Sequence, residues 1–238
     1  MKRKWKINNK SRLVFFRFAI FFFLILIVTI NAQSIGYGFI VGSPQGEFKS
    51  NVNRNALGIE LQGSLWTPSE ELPYSVGLDA SYIVYGVKTE SMQWFGYTND
   101  YFNVTRKNSI FNFHAVFQVF PFFGSVRPYL EGLIGGALIY TNSELTDDND
   151  ESIASITNIV NFTWSYGAGG GILVSIAQDL SVVNELFLDF KVRYMNGTEA
   201  NYFTENDFKT ITPTQIIFYP NKSKTDLLTF QIGVVAYF

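Results

Sequence analysis

The sequence predicts an all-β protein: an eight-stranded antiparallel transmembrane β-barrel with up-and-down (meander) strand order. Three observations lead to this prediction. Eight segments alternate apolar residues with polar or small ones, which is the period of a β-strand. The connections between these segments are alternately short and long. Aromatic residues make up 17% of the chain, with 24 Phe and 13 Tyr, and such a composition favours strands over helices.

The first 32 residues form a separate segment, which we interpret as a secretory signal peptide. Basic residues at the start are followed by an apolar run from Phe18 to Ile30, and we expect cleavage near Ala32. The run is too short for a transmembrane helix, which needs about 20 residues. The alternative is an uncleaved anchor that extends back to Val14. We expect residues 33–238 to form one exported β-barrel domain.

The charge and composition of residues 33–238 exclude several classes of function. Without the seven basic residues that precede Ala32, 11 basic residues stand against 20 acidic ones, a net charge of −9. Such a domain is a poor ligand for nucleic acid. The chain has no Cys and one His, so neither a disulfide framework nor a thiolate or multi-histidine metal site can form. We therefore expect no cofactor.

The alternation is strictest near residue 190. Leu186, Leu188 and Phe190 fall on one face of this segment, whereas Asp189 and Lys191 fall on the other. About ten residues of such alternation suffice for a tilted strand to cross a bilayer. The eight predicted strands are, in chain order, 34–42, 56–66, 74–86, 109–120, 128–140, 162–177, 180–195 and 227–238.

The connections favour a barrel over a soluble β-sandwich. Three are short, at 67–73, 121–127 and 178–180. The others are long and polar, at 43–55, 88–107, 142–161 and 196–226. Short periplasmic turns and long extracellular loops are typical of outer-membrane barrels, whereas a sandwich has no need of this asymmetry. We expect a cell outer-membrane protein with both chain ends on the periplasmic side.

Three stretches resemble the small bacterial outer-membrane β-barrel domain family, the OmpA/OmpX-like eight-stranded barrels. They are "RPYLEGLIGG" (127–136), "GAGGGILVSIAQDLSVVNELFLDFKVRY" (167–194) and "FQIGVVAYF" (230–238). The resemblance implies fold and location but no single activity, because the family includes adhesins, stabilising anchors, porin-like proteins and secretion accessories. It also implies that Phe238 is an assembly signal for the barrel assembly machinery, read through the C-terminal strand.

The candidate site is a network of charged side chains on the inner faces of the strands. The interior of an eight-stranded barrel is narrow and filled by side chains, so charges there must be paired. Its expected members are Glu60, Asp79, His114, Glu131, Glu185, Asp189, Lys191 and Arg193. The carboxylates outnumber Lys191 and Arg193, which keeps open a narrow path for protons or ions as the alternative to a structural plug.

An enzyme is not expected. A hydrolase similar to the outer-membrane lipid A deacylases would need a serine two residues from the strand histidine. Here the residue two positions after His114 is Val116, so the nucleophile is missing at that position.

The sequence therefore predicts an outer-membrane barrel with a structural or surface-interaction role. Its expected partners are outer-membrane lipid and lipopolysaccharide, and a surface protein at the long loops. Two alternatives remain: a narrow ion or proton channel, and an accessory subunit of a secretion or assembly complex. Aromatic residues in the second and fourth long loops are explained in part by the aromatic girdles at the membrane interfaces. The remainder favour strands that extend above the membrane and offer an edge or patch to a partner. They are Trp94, Phe95, Tyr97, Tyr101, Phe102, Tyr202, Phe203, Phe218 and Tyr219.

Overall fold

The structure, a computed structural model, describes residues 33–93, 101–147, 152–205, 207–212 and 215–238. The predicted signal peptide lies outside these ranges, as do Trp94, Phe95 and Tyr97. In the part of the chain that is described, no helix has the length and apolar character needed to cross a membrane.

Eight long antiparallel strands close into a barrel, which confirms the predicted fold class. The barrel strands are β1 (Ser34–Pro44), β2 (Ala56–Ser64), β3 (Tyr74–Gln93), β4 (Tyr101–Val119), β5 (Val126–Thr146), β6 (Ser152–Gln178), β7 (Glu185–Gly197) and β12 (Leu227–Tyr237). Each strand pairs with its neighbours in the barrel order, and β12 closes the barrel against β1. At this junction Gly36 lies opposite Val235, and Val41 lies opposite Phe230.

The two ends of the barrel differ. At one end the strands are joined by residues 65–73, 120–125 and 179–184, and we call this the turn end. The third of these turns is longer than predicted, because β7 begins at Glu185 and Asp179 adopts a turn conformation with a φ of 55°. The opposite end, which carries the four long connections, is the loop end.

Two of the predicted long loops are mostly strand, which corrects the sequence prediction. β3 and β4 continue through most of 88–107, and β5 and β6 continue through most of 142–161. Most of these residues are polar, and the apolar ones, such as Ile153 and Ile156, do not alternate strictly, but Thr and Ser pair across the strands. Thr89 and Thr105, for example, share a hydrogen bond of 2.9 Å. A polar strand outside a membrane has no apolar face to reveal it.

The four extended strands form a continuous sheet beyond the barrel, which we call the wall. It consists of 85–93 of β3, 101–108 of β4, 140–146 of β5 and 152–164 of β6. At about 3.3 Å for each residue, the part of β3 in the wall is roughly 30 Å long.

The other two long connections fold over the mouth of the barrel. The first contains α1 (Gly46–Asn51), whose Phe48 is fully buried. The fourth contains two paired sets of short strands. These strands are β8 (Ala200–Tyr202), β9 (Phe208–Thr212), β10 (Gln215–Phe218) and β11 (Asn221–Ser223).

The outer surface of the barrel is apolar. Side chains such as Phe39 (62% exposed) and Leu130 (69% exposed) point away from the barrel, as the alternation predicts. Exposed apolar surface on this scale is unfavourable in water but suits lipid hydrocarbon.

Side chains fill the inside of the barrel in three layers. An aromatic layer closes the turn end, with Phe120, Tyr129, Leu173, Phe187 and Tyr237. A charged layer occupies the middle. An apolar layer closes the loop end, where Phe48 packs against Tyr85 and Tyr202 with ring centroids 5.5 and 5.1 Å apart.

Candidate functional site

Arg193 of β7 is the centre of the charged layer. Its guanidinium contacts three carboxylates from three other strands. It binds Asp79 of β3 at 2.9 Å and Glu60 of β2 at 3.1 Å. It binds Glu131 of β5 through both Nε and Nη2, the latter at 3.2 Å from Oε2. Such a two-point pair fixes the orientation of both groups.

Lys191, two residues earlier on the same face of β7, extends the layer toward the turn end. Its ammonium group lies 2.8 Å from Glu60 and 3.4 Å from Asp189, and it donates a hydrogen bond of 2.8 Å to Gln62. Tyr129 donates a hydrogen bond of 2.7 Å to Asp189. Four carboxyl groups therefore share two basic side chains, Lys191 and Arg193. Tyr129 and Gln62 add hydrogen bonds to the layer.

Glycines on β6 make room for these long side chains. In the sheet register, Gly169 lies between Glu131 on one side and Arg193 on the other. A Cβ at Gly169 would lie 2.9 Å from the Cγ of Arg193, and a Cβ at Gly171 would lie 2.5 Å from the hydroxyl of Tyr129. Because Gly169 and Gly171 have no side chains, long side chains from β5 and β7 can meet over the inner face of β6.

His114 lies in the charged layer and contacts a serine that the sequence did not suggest. Its Nε2 is 2.9 Å from the hydroxyl of Ser165 on β6, and its Nδ1 is 3.7 Å from Asp79. The latter distance is too long for a hydrogen bond. All three side chains are buried, so a substrate has no access to them. The arrangement has the residue types of a serine hydrolase but neither its geometry nor its open site.

The structure places the predicted charges in two groups. Seven of them share the charged layer, whereas Glu185 lies at the turn end. There it pairs with Arg127 at 2.5 Å, and Arg127 stacks over the ring of Phe187 at 4.6 Å. The sequence interpretation missed Arg127 because it was assigned to a turn. Extending the alternation of β5 by two more steps from Glu131 would have found it.

The charged layer leaves little free space. The two cavities described beside it each measure about 10 Å³, which is about the volume that one water molecule needs. One of them lies beside Lys191 and Gln231, and the other beside Gln118 and Phe120. Within the part of the chain that the structure describes, this filling and the two apolar layers close the lumen.

The wall has two lateral edges, and they differ in chemistry. The edge at β3 is charged and partly covered: the N–H of Val87 donates to Glu205 at 2.9 Å, and Glu205 pairs with Arg54. Lys88 and Glu90 add further charges on this strand. Charged groups at a sheet edge discourage pairing with another strand.

The edge at β6 is open and uncharged. β6 pairs with β7 only from Ser165 onward, where it lies opposite Gly197, and the N–H of Thr198 donates to the carbonyl of Trp164. Among the described residues, 153–162 pair with β5 alone. The whole of β6 contains no Asp, Glu, Lys or Arg. We call residues 153–162 the β6 edge.

A closed meander barrel with an apolar outer surface and a filled lumen defines a membrane-spanning β-barrel of the outer-membrane class. No protein-family model matches the chain, and no curated protein matches its sequence.

Solved structures of small outer-membrane barrels are similar to the chain. Neisserial surface protein A is 10% identical, with a TM-score of 0.43, over 86% of this chain and 96% of its own. Ail, the attachment invasion locus protein of Yersinia pestis, in complex with the heparin analogue sucrose octasulfate, is 12% identical, with a TM-score of 0.37, over 86% and 97%. The N-terminal β-barrel domain of Pseudomonas aeruginosa OprF is 14% identical, with a TM-score of 0.33, over 87% and 98%.

Proposed function

We propose that the chain is a surface-interaction protein of the outer membrane, in which a closed barrel anchors the wall and the β6 edge binds an extended segment of another protein. The single observation that carries this proposal is the β6 edge itself: ten residues of strand, with register shifts at Ile153 and Asn158, whose second side has no partner strand among the described residues and no charge. The loop end faces outside the cell, and the turn end faces the periplasm. Lipid and lipopolysaccharide surround the apolar outer surface.

The edge offers main-chain groups in a defined order. Trp164 directs its carbonyl toward β7, so by alternation Phe162 and Val160 direct their main-chain N–H groups to the same side. Among the described residues, no strand pairs with β6 on that side at their level. Residues 159, 161 and 163 direct theirs to β5. An added strand would complete these hydrogen bonds, as in other cases of β-strand addition.

The partner is a different chain rather than a second copy in the same membrane. Two identical edges pair only as antiparallel strands, about a two-fold axis perpendicular to them. Copies inserted side by side both direct β6 from the loop end to the turn end, so their edges run in the same direction. A flexible or extended segment of another protein has no such restriction.

The edge favours a neutral, β-branched segment. Side chains along it include Ile153, Ile156, Thr157 and Val160, which have high strand propensity and carry no charge. Cross-strand pairs of β-branched and aromatic residues each contribute about 0.2–1 kcal/mol. A charged segment would gain nothing from this surface.

A selection of displayed peptides tests the proposal. The folded barrel is used to select extended peptides, and binding is compared for Val160→Pro, which removes an edge N–H, and Val160→Thr, which keeps it. We expect peptides whose affinity falls about tenfold or more with Val160→Pro but is retained with Val160→Thr. Selected peptides that bind all three proteins equally, or a selection that yields none, would overturn the proposal.

A channel is not proposed, because the lumen is filled in its middle and closed by apolar layers at both ends. A role in a secretion or assembly complex is one form that the partner at the β6 edge could take. The assignment of Phe238 as an assembly signal stays a prediction; its side chain is exposed at the turn end, and its N–H donates to the carbonyl of Gln33 at 3.0 Å.

A further inference from the structure

A second surface feature lies at the loop end, on the β3 side of the mouth and away from the β6 edge. It is a cavity of about 150 Å³, which we call the mouth pocket. Its lining residues are Asn51, Val52, Asn53, Arg54, Tyr85, Asn108, Thr204 and Glu205.

The apolar side of the mouth pocket is rigid. Tyr85 packs edge-on against Tyr202, with centroids 6.3 Å apart, and its hydroxyl donates to the carbonyl of Phe203 at 3.1 Å. Val52 is buried beside it. These contacts hold a fixed apolar surface at one side of an otherwise polar cavity.

The turn that carries Thr204 and Glu205 is also fixed. Asp207 accepts hydrogen bonds from the main-chain N–H of Thr204 at 2.6 Å and from its hydroxyl at 2.9 Å. Glu205 is held by the N–H of Val87 and by Arg54. The polar side of the pocket is therefore largely formed before a ligand arrives, which lowers the entropy cost of binding.

Two side-chain amides of the pocket, those of Asn51 and Asn108, each use only one of their two polar groups in a described hydrogen bond. Asn51 donates through Nδ2 to the hydroxyl of Tyr202 at 2.8 Å, and Asn108 accepts at Oδ1 from Thr141 at 2.7 Å. Among the described hydrogen bonds, none uses the side-chain carbonyl of Asn51 or the amino group of Asn108. The pocket thus offers a fixed acceptor and a fixed donor, and Asn53 adds a third amide.

The charge of the pocket selects a neutral ligand. Arg54 and Glu205 neutralise each other, so neither a free anion nor a free cation gains a net charge interaction. A purely apolar ligand would leave the amides unsatisfied. A ligand with adjacent hydroxyl groups and an apolar ring face matches both sides, since each hydroxyl both donates and accepts.

We propose that the mouth pocket binds one neutral sugar ring, the terminal residue of a glycan. The ring lies with its C–H face toward the apolar side of the pocket, where Tyr85 and Val52 are 1% and 5% exposed, and places its hydroxyls on the amides of Asn51, Asn53 and Asn108. The glycan belongs either to the lipopolysaccharide of the same envelope or to another cell surface, because both present such termini.

The test uses the full-length protein, folded in detergent, with glucose, galactose, mannose, fucose, N-acetylglucosamine and N-acetylgalactosamine as probes in saturation-transfer NMR. Asn53→Trp fills the pocket from an exposed loop position. Asn55→Trp, two residues on and outside the lining, is the matched control. We expect at least one sugar to bind, with an affinity lowered about tenfold or more by Asn53→Trp and unchanged by Asn55→Trp.

Binding of none of the six sugars would overturn the proposal, and so would equal binding by both tryptophan variants. Purified lipopolysaccharide and an array of other glycans then distinguish the two sources. The proposal is independent of the β6 edge: Val160→Pro should leave sugar binding intact, and Asn53→Trp should leave peptide binding intact.

Discussion

Arg193 on β7 reaches across Gly169 on β6 to bind Glu131 on β5, so that a glycine separates the two members of a buried ion pair. This row of three residues explains two features of the sequence together: the charges on the inner faces and the glycines of "GAGGG". It also makes the filling of the lumen depend on a single guanidinium, which contacts three of the four carboxylates in the charged layer.

Removal of that guanidinium should destabilise the barrel strongly. Arg193→Met leaves Glu131, Asp79 and Glu60 with only Lys191 nearby, and loss of one partner from a buried ionic network costs about 3–5 kcal/mol. Urea unfolding in lipid vesicles, followed by heat-modifiable gel mobility, measures the change. Lys107→Met, which removes an exposed cation above the ring of Tyr82, is the control and should cost less than about 1 kcal/mol. Equal effects would contradict the central role of Arg193.

Gly169 and Gly132 should differ, because a Cβ has room only at Gly132. A Cβ at Gly169 would collide with the carbonyl oxygen of Val192, so Gly169→Ala should cost about 1–3 kcal/mol. A Cβ at the outward-facing Gly132 would have no atom beyond its chain neighbours within 4 Å. Gly132→Ala should therefore be neutral or stabilise by about 0.4–1 kcal/mol. The same unfolding measurement compares the two, and a reversed order would mean that the faces are misassigned.

A charged substitution on an exposed apolar residue should lower the free energy of unfolding strongly only where lipid surrounds that residue. Ile134 and Ile156 are 65% and 63% exposed, but the first lies on the barrel and the second on the wall. Ile134→Arg should cost about 2–4 kcal/mol, the usual value near the middle of a bilayer. Ile156→Arg should cost less than about 0.5 kcal/mol, as surface changes do. Unfolding from vesicles gives both values, and equal costs would contradict the placement of the wall outside the membrane.

The wall should loosen in acid. Hydrogen bonding to Lys88 and the positive charge of the nearby Arg106 hold the pKa of Glu90 below its usual range. A lowered pKa in the folded state means that the ionised Glu90 stabilises the wall at neutral pH. That contribution is lost as the pH falls through the usual glutamate range and below. Amide exchange of β3 and β4 in the wall should accelerate in acid, and Glu90→Gln should remove most of this pH dependence.

The closed lumen should not conduct. Purified protein in a planar bilayer is expected to show no discrete conductance steps, because the free space described beside the charged layer is at most the size of single water molecules. Regular steps of constant size would revive the channel alternative.

The fold could be predicted because a membrane-spanning strand carries its own pattern. Lipid contacts one face of β7 and the lumen contacts the other, so apolar residues such as Leu188 alternate with charged ones such as Asp189. The same logic fails above the membrane, where water contacts both faces. Thr89 and Thr105 are therefore paired strand residues that the sequence does not distinguish from a loop.

The site could be predicted only in part. The alternation of residues along each strand predicts which side chains point inward, and it places Glu131 and Arg193 on the inner faces of their strands. The alternation does not predict how neighbouring strands are aligned. The contact of His114 with Ser165, 51 residues away, therefore could not be foreseen. The β6 edge could not be predicted for a related reason. It exists because β7 ends at Gly197, opposite Ser165, whereas β6 extends further at the loop end.

The most direct test of the proposed function is amide hydrogen exchange along residues 159–163 in lipid vesicles, with and without a selected peptide. Without peptide, the amides of Val160 and Phe162 should exchange fast, whereas those of Ile159, Asn161 and Thr163 should be protected by β5. Peptide should slow Val160 and Phe162 selectively. Uniform protection in the free protein would show that another part of the chain already covers the β6 edge and would contradict the proposed function.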